Sequence, residues 1–169
     1  MTENLPARIA VPWLARLDAV RARLEALAVA GAMAGLTEPD PGAAERWEAT
    51  QVWAHLAEFP AYWVGEVRAV LDTEAGATPS FGRTKADPAR VAAVERGRGS
   101  DVAQSAGVAL AGCAAVETLL RAMDDADWSR VAVHPKLGPM AMERIVEEFL
   151  VGHLEEHAAQ LDRLRGATL

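Results

Sequence analysis

The sequence is poor in cysteine, in aromatic residues and in strand-forming patterns. Its 169 residues include one cysteine, and only 5% of them are aromatic. The lone Cys113 cannot form an internal disulfide, which excludes a disulfide-stabilised scaffold. No stretch alternates apolar with polar residues over the length of a strand. The sequence therefore predicts an all-α fold.

Long apolar runs and targeting signals are also missing. The longest apolar run, residues 26–36, contains two glycines and is well short of the ~20 residues that span a bilayer. The N-terminal sequence MTENLPARIAVPW lacks the basic and apolar regions of a signal peptide. We therefore expect no membrane anchor and a cytoplasmic location.

Basic residues are outnumbered by acidic ones and form no stripe. The 17 lysines and arginines stand against 24 aspartates and glutamates, which sets the formal net charge at −7. Scattered basic residues cannot neutralise a row of phosphates, so we expect no nucleic-acid partner.

The apolar residues that are present recur at helical spacing in four long segments. Four helices in a chain of this length predict a four-helix bundle that occupies residues 1–169 as a single domain. The long, Gly- and Pro-rich segment from Glu74 to Pro88 is expected to cross an end of the bundle, and residues 125–140 to be a second connector. The expected helices run from Pro12 to about residue 30, from Ala43 or Trp47 to Asp72, from 101 to 125 with Ser100 as N-cap, and from about Met140 to Arg165, with a short helix at Pro88–Arg96 capped by Asp87.

Three of the four histidines lie where a helix face should turn inward. His153 and His157 are four residues apart on the apolar face of the last helix, and His55 shares a face of the second helix with Val52 and Phe59. A buried imidazole is costly unless it is hydrogen-bonded or binds a metal ion. A ring with a hydrogen-bond partner is the ordinary alternative for any one of them. Because structural zinc sites usually take four protein ligands, three histidines predict a reactive site with an open position.

The segment HLEEH also matches the H-x-x-E-H pattern of zinc peptidases, in which Glu156 would be the general base. Those enzymes take an acidic ligand from further downstream. Only twelve residues follow His157, and none is a glutamate. The third ligand must therefore lie upstream, and His55 is the best candidate.

Three segments together resemble the DinB/YfiT-like superfamily. They are WAHLAE around His55, the loop HPKLGPM, and GHLEEHAAQLDRL in the last helix. The resemblance covers nearly the whole chain and implies a four-helix bundle with a long crossover. It also implies a divalent metal, commonly nickel or zinc, on His55, His153 and His157. Some relatives are thiol S-transferases or isomerases that use bacillithiol, mycothiol or glutathione.

Other residues are candidates for contact with the ligands or a substrate, each with a plainer alternative. Glu58 and Gln160 lie near the ligand faces, and Glu156 could orient a ligand or be solvated. His134 could reach the mouth of the bundle or fix a loop, and Tyr62 could line the pocket or pack in the core. The remaining predictions are Arg90, Arg96 or Arg98 as partners of cofactor carboxylates, Cys113 as inert core, and Trp53 and Trp63 as core or dimer surface.

These patterns and the resemblance lead to one functional hypothesis with two alternatives. We expect a metal-dependent thiol S-transferase that acts on a small-molecule substrate, with a homodimer as the oligomeric form. A metal-dependent hydrolase is the first alternative. A non-catalytic stress protein that binds a metal and a small molecule is the second.

Overall fold

The computed structural model describes residues 5–31, 33–39 and 44–166. Four long helical segments pack around one apolar core, which confirms the predicted bundle. Helices α2 and α4 form the largest helix contact, and α1 packs against α4 and the last segment. The elements are α1 (Ala10–Ala28), α2 (Ala49–Leu71), α3 (Pro88–Arg96), α4 (Val102–Ala122), α5 (Asp125–Trp128), β1 (Val131–His134), β2 (Gly138–Ala141), α6 (Met142–Phe149) and α7 (Val151–Gly166).

The first two helices begin at different residues from those predicted. Helix α1 begins at Ala10, ahead of Pro12. Helix α2 begins at Ala49 because Glu48 and Gln51 form a reciprocal capping box there. Trp47 therefore precedes the helix, and its backbone N–H donates to the Thr37 hydroxyl at 2.9 Å. Ala43, the other predicted start, lies outside the described residues.

The short crossover helix was predicted correctly, whereas the cap of the next helix was not. Helix α3 spans Pro88–Arg96, and the Asp87 side chain accepts a hydrogen bond from the Arg90 N–H. Helix α4 is capped by Asp101, whose carboxylate accepts from the Ala103 N–H at 2.8 Å. The hydroxyl of Ser100 is buried without a hydrogen bond in the described structure.

The second connector contains a short helix and a β-hairpin, so the prediction of a plain connector was wrong. Strands β1 and β2 pair antiparallel over four residues each. Strands this short do not carry enough alternation to be recognised in a sequence. The crossover joins them, because Phe81 N–H donates to Val133 O and Val133 N–H donates to Pro79 O, both at 2.9 Å. The hairpin is therefore hydrogen-bonded to the crossover.

The last helix, predicted as continuous, is divided between α6 and α7 at Leu150. Leu150 has φ −122° and ψ −93°, outside the helical region. Gly152 lies two residues further on, and a Cβ atom there would lie 2.4 Å from the Glu147 carbonyl oxygen. A residue without a side chain is therefore required just before His153.

The packing selects one of the two alternatives given for Trp53 and Trp63. Trp53 and Trp63 are buried within the chain, so neither forms an exposed dimer surface. Among the described helices, α4 alone is long and apolar enough by composition to cross a membrane, a criterion that core helices also meet. It packs against α1 and α2.

Candidate metal centre

Helices α2 and α7 bring three histidines together at one end of the bundle. The Nε2 atom of His153 lies 3.2 Å from Nε2 of His55 and 3.1 Å from Nε2 of His157. His55 and His157 are buried, and His153 is partly exposed. Within the described residues this is the group of histidine, cysteine and acidic side chains placed to hold a metal ion.

A hydrogen bond to Gln160 determines which ring nitrogen of His157 can bind a metal ion. Its Nδ1 donates to the Gln160 side-chain oxygen at 2.8 Å, so Nε2 carries the lone pair. Each ring nitrogen holds either one hydrogen or one lone pair, so the three clustered Nε2 atoms cannot all be satisfied by hydrogen bonds among themselves. A cation shared by the three lone pairs would satisfy them.

Two histidines of the cluster, His55 and His153, are held in the neutral form that metal ligation needs. Burial lowers the pKa of His55 well below its usual value, and positive charge on the neighbouring histidines would lower it further. Burial lowers the pKa of His153 in the same way. Neutral imidazoles keep their lone pairs available at physiological pH.

An ion pair between Glu58 and Arg83 lies close to Nδ1 of His55. The Nδ1 atom of His55 is buried without a hydrogen bond, and the nearest carboxylate oxygen, on Glu58, is 3.8 Å away. Glu58 accepts two hydrogen bonds from Arg83, at 2.6 and 2.7 Å. The Arg83 guanidinium also lies 3.8 Å from the centre of the Tyr62 ring. Glu58 and Tyr62 thus hold Arg83 in place, and neither lines the cavity described below.

Two other predicted residues lie at the cavity wall. The Glu156 carboxylate is largely exposed and lies 3.7 Å from Nδ1 of His153. His134 is buried on β1, away from the cluster. Its Nε2 donates to Arg83 O at 3.0 Å, and its Nδ1 accepts from the N–H groups of Lys136 and Leu137. His134 therefore fixes the hairpin turn against the crossover.

Aromatic rings surround the cluster. Trp47 stacks on His157 with centroids 5.8 Å apart, and Phe59 meets His153 edge-on at 4.6 Å. On the hairpin side, Phe149 stacks on His134 at 5.1 Å. These rings hold the imidazoles in place and make part of the surrounding wall apolar.

The histidines line a cavity of about 500 Å³. Of the three arginines proposed as carboxylate partners, Arg90 lines this cavity. Arg98 lines an adjoining recess of about 110 Å³, which Arg90 also lines, and Arg96 is exposed on α3 and lines neither. The Arg83 interaction with Glu58 was missed, because the two residues are 25 positions apart with no periodic signal between them.

The fold and the site together define this protein as a helical bundle with a three-histidine cluster. The sequence profile of the DinB superfamily matches residues 14–161, and the chain belongs to that superfamily. Comparison with curated protein sequences gives no significant match.

A solved structure shares the fold. It is YfiT from Bacillus subtilis, described as a probable metal-dependent hydrolase with an unusual four-helix bundle topology. The TM-score is 0.73 at 21% sequence identity, over 94% of this chain and 87% of YfiT.

Proposed function

We propose that this DinB-superfamily protein is a metal-dependent enzyme in which His55, His153 and His157 hold one divalent ion. The carrying observation is the convergence of three Nε2 atoms, with neighbouring separations of 3.1 and 3.2 Å, in the wall of a cavity. Two imidazoles that bind one zinc ion at about 2.0–2.1 Å in tetrahedral geometry have nitrogens about 3.3 Å apart. Two of the three separations match this spacing, and all three ligand atoms lie within 4.8 Å of one another, which supports a shared metal ion.

The residues around the cluster suit this role. Gln160 directs the lone pair of His157 inward, and burial keeps His55 and His153 neutral. A divalent ion held by the three imidazoles would keep its positive charge and would supply the means to lower the pKa of a water or a thiol. The cavity next to the histidines has room for a small organic substrate.

The reaction we propose first is transfer of a small thiol to an organic substrate. The resemblance to a superfamily in which some members are thiol S-transferases supports this reaction. The protein is loaded with cobalt and titrated with bacillithiol, mycothiol and glutathione. A saturating sulfur-to-metal charge-transfer band with one of them is expected. No band and no thermal shift with any of the three would contradict this reaction.

Hydrolysis is the second candidate, because YfiT is described as a probable metal-dependent hydrolase. Glu156 supports it as well, since its carboxylate lies at the cavity rim and can take a proton from an attacking water. We would test a panel of esters and amides with the zinc-loaded protein and with Glu156→Gln. A hydrolase should lose at least about tenfold in kcat in that variant. If the protein is a thiol transferase, the kcat for thiol transfer should change little in Glu156→Gln.

The metal we propose is zinc or nickel. Three imidazoles bind both ions well, and ligand softness does not separate them. Elemental analysis of protein purified without added metal is expected to give about one ion per chain. Iron or copper at full occupancy would contradict the proposal.

A further inference from the structure

Two arginines in the cavity wall have buried side chains. Arg83 and Arg90 have side chains that are 9% and 8% exposed. Arg83 is neutralised, because it donates to both oxygens of Glu58 and lies 3.3 Å from Asp87. A buried charge without such a partner is costly, which makes the surroundings of Arg90 informative.

Arg90 has one close hydrogen-bond partner for its guanidinium in the described structure. Its Nη1 donates to the Lys85 carbonyl oxygen at 2.8 Å. The nearest carboxylate oxygen, on the partly exposed Glu45, is 3.6 Å from Nη2, beyond hydrogen-bond distance. A guanidinium has five N–H donors, so Arg90 can accept a further anionic partner.

The guanidinium lies beside the histidine cluster. It lies 5.3 Å from the centre of the Trp47 ring, and the same ring stacks on His157 and meets His55 edge-on. Trp47 thus separates the charge of Arg90 from the ligand imidazoles by one aromatic ring. Arg90 and the three histidines line the same cavity, so one molecule in it could contact both the guanidinium and the histidine cluster.

Of the four carboxylates among the described residues that line the cavity, the partly buried Glu45 forms an ion pair with Arg90 at 3.6 Å, and the other three are exposed. Glu38, Glu148 and Glu156 are exposed, and the basic side chains of Lys136 and Arg163 also line the wall. The described part of the cavity wall therefore has five basic side chains and four carboxylates, in a protein whose net charge is −7. A negatively charged substrate is favoured there.

We propose that Arg90 is the anion-binding residue of this cavity and that the substrate or thiol cofactor is a carboxylate. The two parallel N–H groups of a guanidinium match the two oxygens of a carboxylate. The carboxylate anchors the molecule at Arg90 while its reacting atom faces the histidines. This inference rests on the proposed metal centre for the reacting atom, and on the surroundings of Arg90 alone for the carboxylate.

The test compares charged and uncharged probes by calorimetry. Mercaptosuccinate, which carries two carboxylates, and uncharged thioglycerol are titrated into the zinc-loaded protein and into Arg90→Gln. We expect the variant to lose about ten- to hundredfold in affinity for mercaptosuccinate. Affinity for thioglycerol should be unchanged. Arg96→Gln, on the exposed side of the same helix, is the matched control and should bind like the unmodified protein.

Arg90→Lys keeps the positive charge but not the two parallel N–H groups, so it should lose less affinity for mercaptosuccinate than Arg90→Gln. It also provides a second variant in case Arg90→Gln does not fold. Equal affinity of a folded Arg90→Gln and the unmodified protein for mercaptosuccinate, or no preference of the unmodified protein for mercaptosuccinate over thioglycerol, would overturn the inference. Succinate is titrated in parallel into metal-free protein, where binding that depends on Arg90 supports the anion site even if the chain binds no metal. Failure of the metal centre appears separately, as absence of zinc in elemental analysis.

Discussion

The Nδ1 atom of His157 donates a hydrogen bond to the side-chain oxygen of Gln160 at 2.8 Å, three residues further along α7. This bond leaves the Nε2 lone pair of His157 directed at the cluster, 3.1 Å from Nε2 of His153. One helical turn thus supplies a candidate ligand and the residue that orients it.

Gln160→Ala should lower the affinity for zinc by about ten- to hundredfold, because the imidazole of His157 loses its fixed tautomer. Competition with a chromophoric chelator measures the affinity. Gln160→Glu keeps the acceptor and should restore most of the affinity, which a purely structural effect on the helix would not explain. Gln104→Ala, on the exposed face of α4, is the control and should bind as tightly as the unmodified protein.

Replacement of His153 or His157 by alanine should reduce the bound metal from about one ion per chain to none, because two imidazoles hold a divalent ion weakly. His55→Ala should weaken binding strongly for the same reason. Elemental analysis after dialysis gives the stoichiometry. His134→Ala should retain the metal, since His134 bonds to the crossover and hairpin backbone. If His55→Ala kept full occupancy and affinity, the three-histidine assignment would be wrong.

The metal-free protein should lose stability as the pH falls below about 6.5. His55 and His153 have lowered pKa values in the folded state, so the unfolded chain binds more protons than the folded chain in this range. Stability is therefore greatest above the unfolded pKa and falls by up to about 1.4 kcal/mol per pH unit for each such histidine.

Urea unfolding at pH 8, 6.5 and 5.5 would measure this slope. This pH range lies above the ordinary pKa values of carboxylates. The unfolding free energy of His153→Leu should therefore depend less steeply on pH. Identical slopes for the two proteins would rule out a contribution from the cluster. With metal present, occupancy should also fall below about pH 6, because protons compete for the imidazoles.

Gly152→Ala should destabilise the protein by about 1–3 kcal/mol, because the added Cβ meets the Glu147 carbonyl oxygen at 2.4 Å. It should also weaken metal binding, since Gly152 precedes His153. The matched control is Gly107→Ala in α4, where a Cβ has no neighbour within 4 Å. That variant should be neutral or more stable by up to about 1 kcal/mol. Equal unfolding free energies for the two variants would show that the break at Leu150 can relax.

Cys113 should not react with thiol reagents in the native protein at pH 8. Burial raises the pKa of its thiol to about 11, so little of the nucleophilic thiolate is present, and the side chain is enclosed between helices. Reaction with a chromogenic disulfide should begin only when urea unfolds the chain. Rapid modification without loss of helical circular dichroism would show that the thiol is accessible.

Residues that are close along the chain were predicted well. The short helix at Pro88–Arg96 and its Asp87 cap follow from local signals, namely a proline in the first turn and an acidic side chain before it. The Asp101 cap was missed because Ser100 and Asp101 are both good capping residues. Only the backbone geometry selects between them.

The sequence by itself determined that the chain is helical and that His153 and His157 share a helix face, because helical periodicity and i, i+4 spacing are local properties. The tertiary structure decided what surrounds them. It placed the Glu58–Arg83 ion pair close to His55 and the buried Arg90 next to Trp47. It also brought the hairpin into hydrogen-bond contact with the crossover. These contacts join residues far apart in the chain without any repeating pattern. Their positions depend on how the helices pack and where the crossover lies.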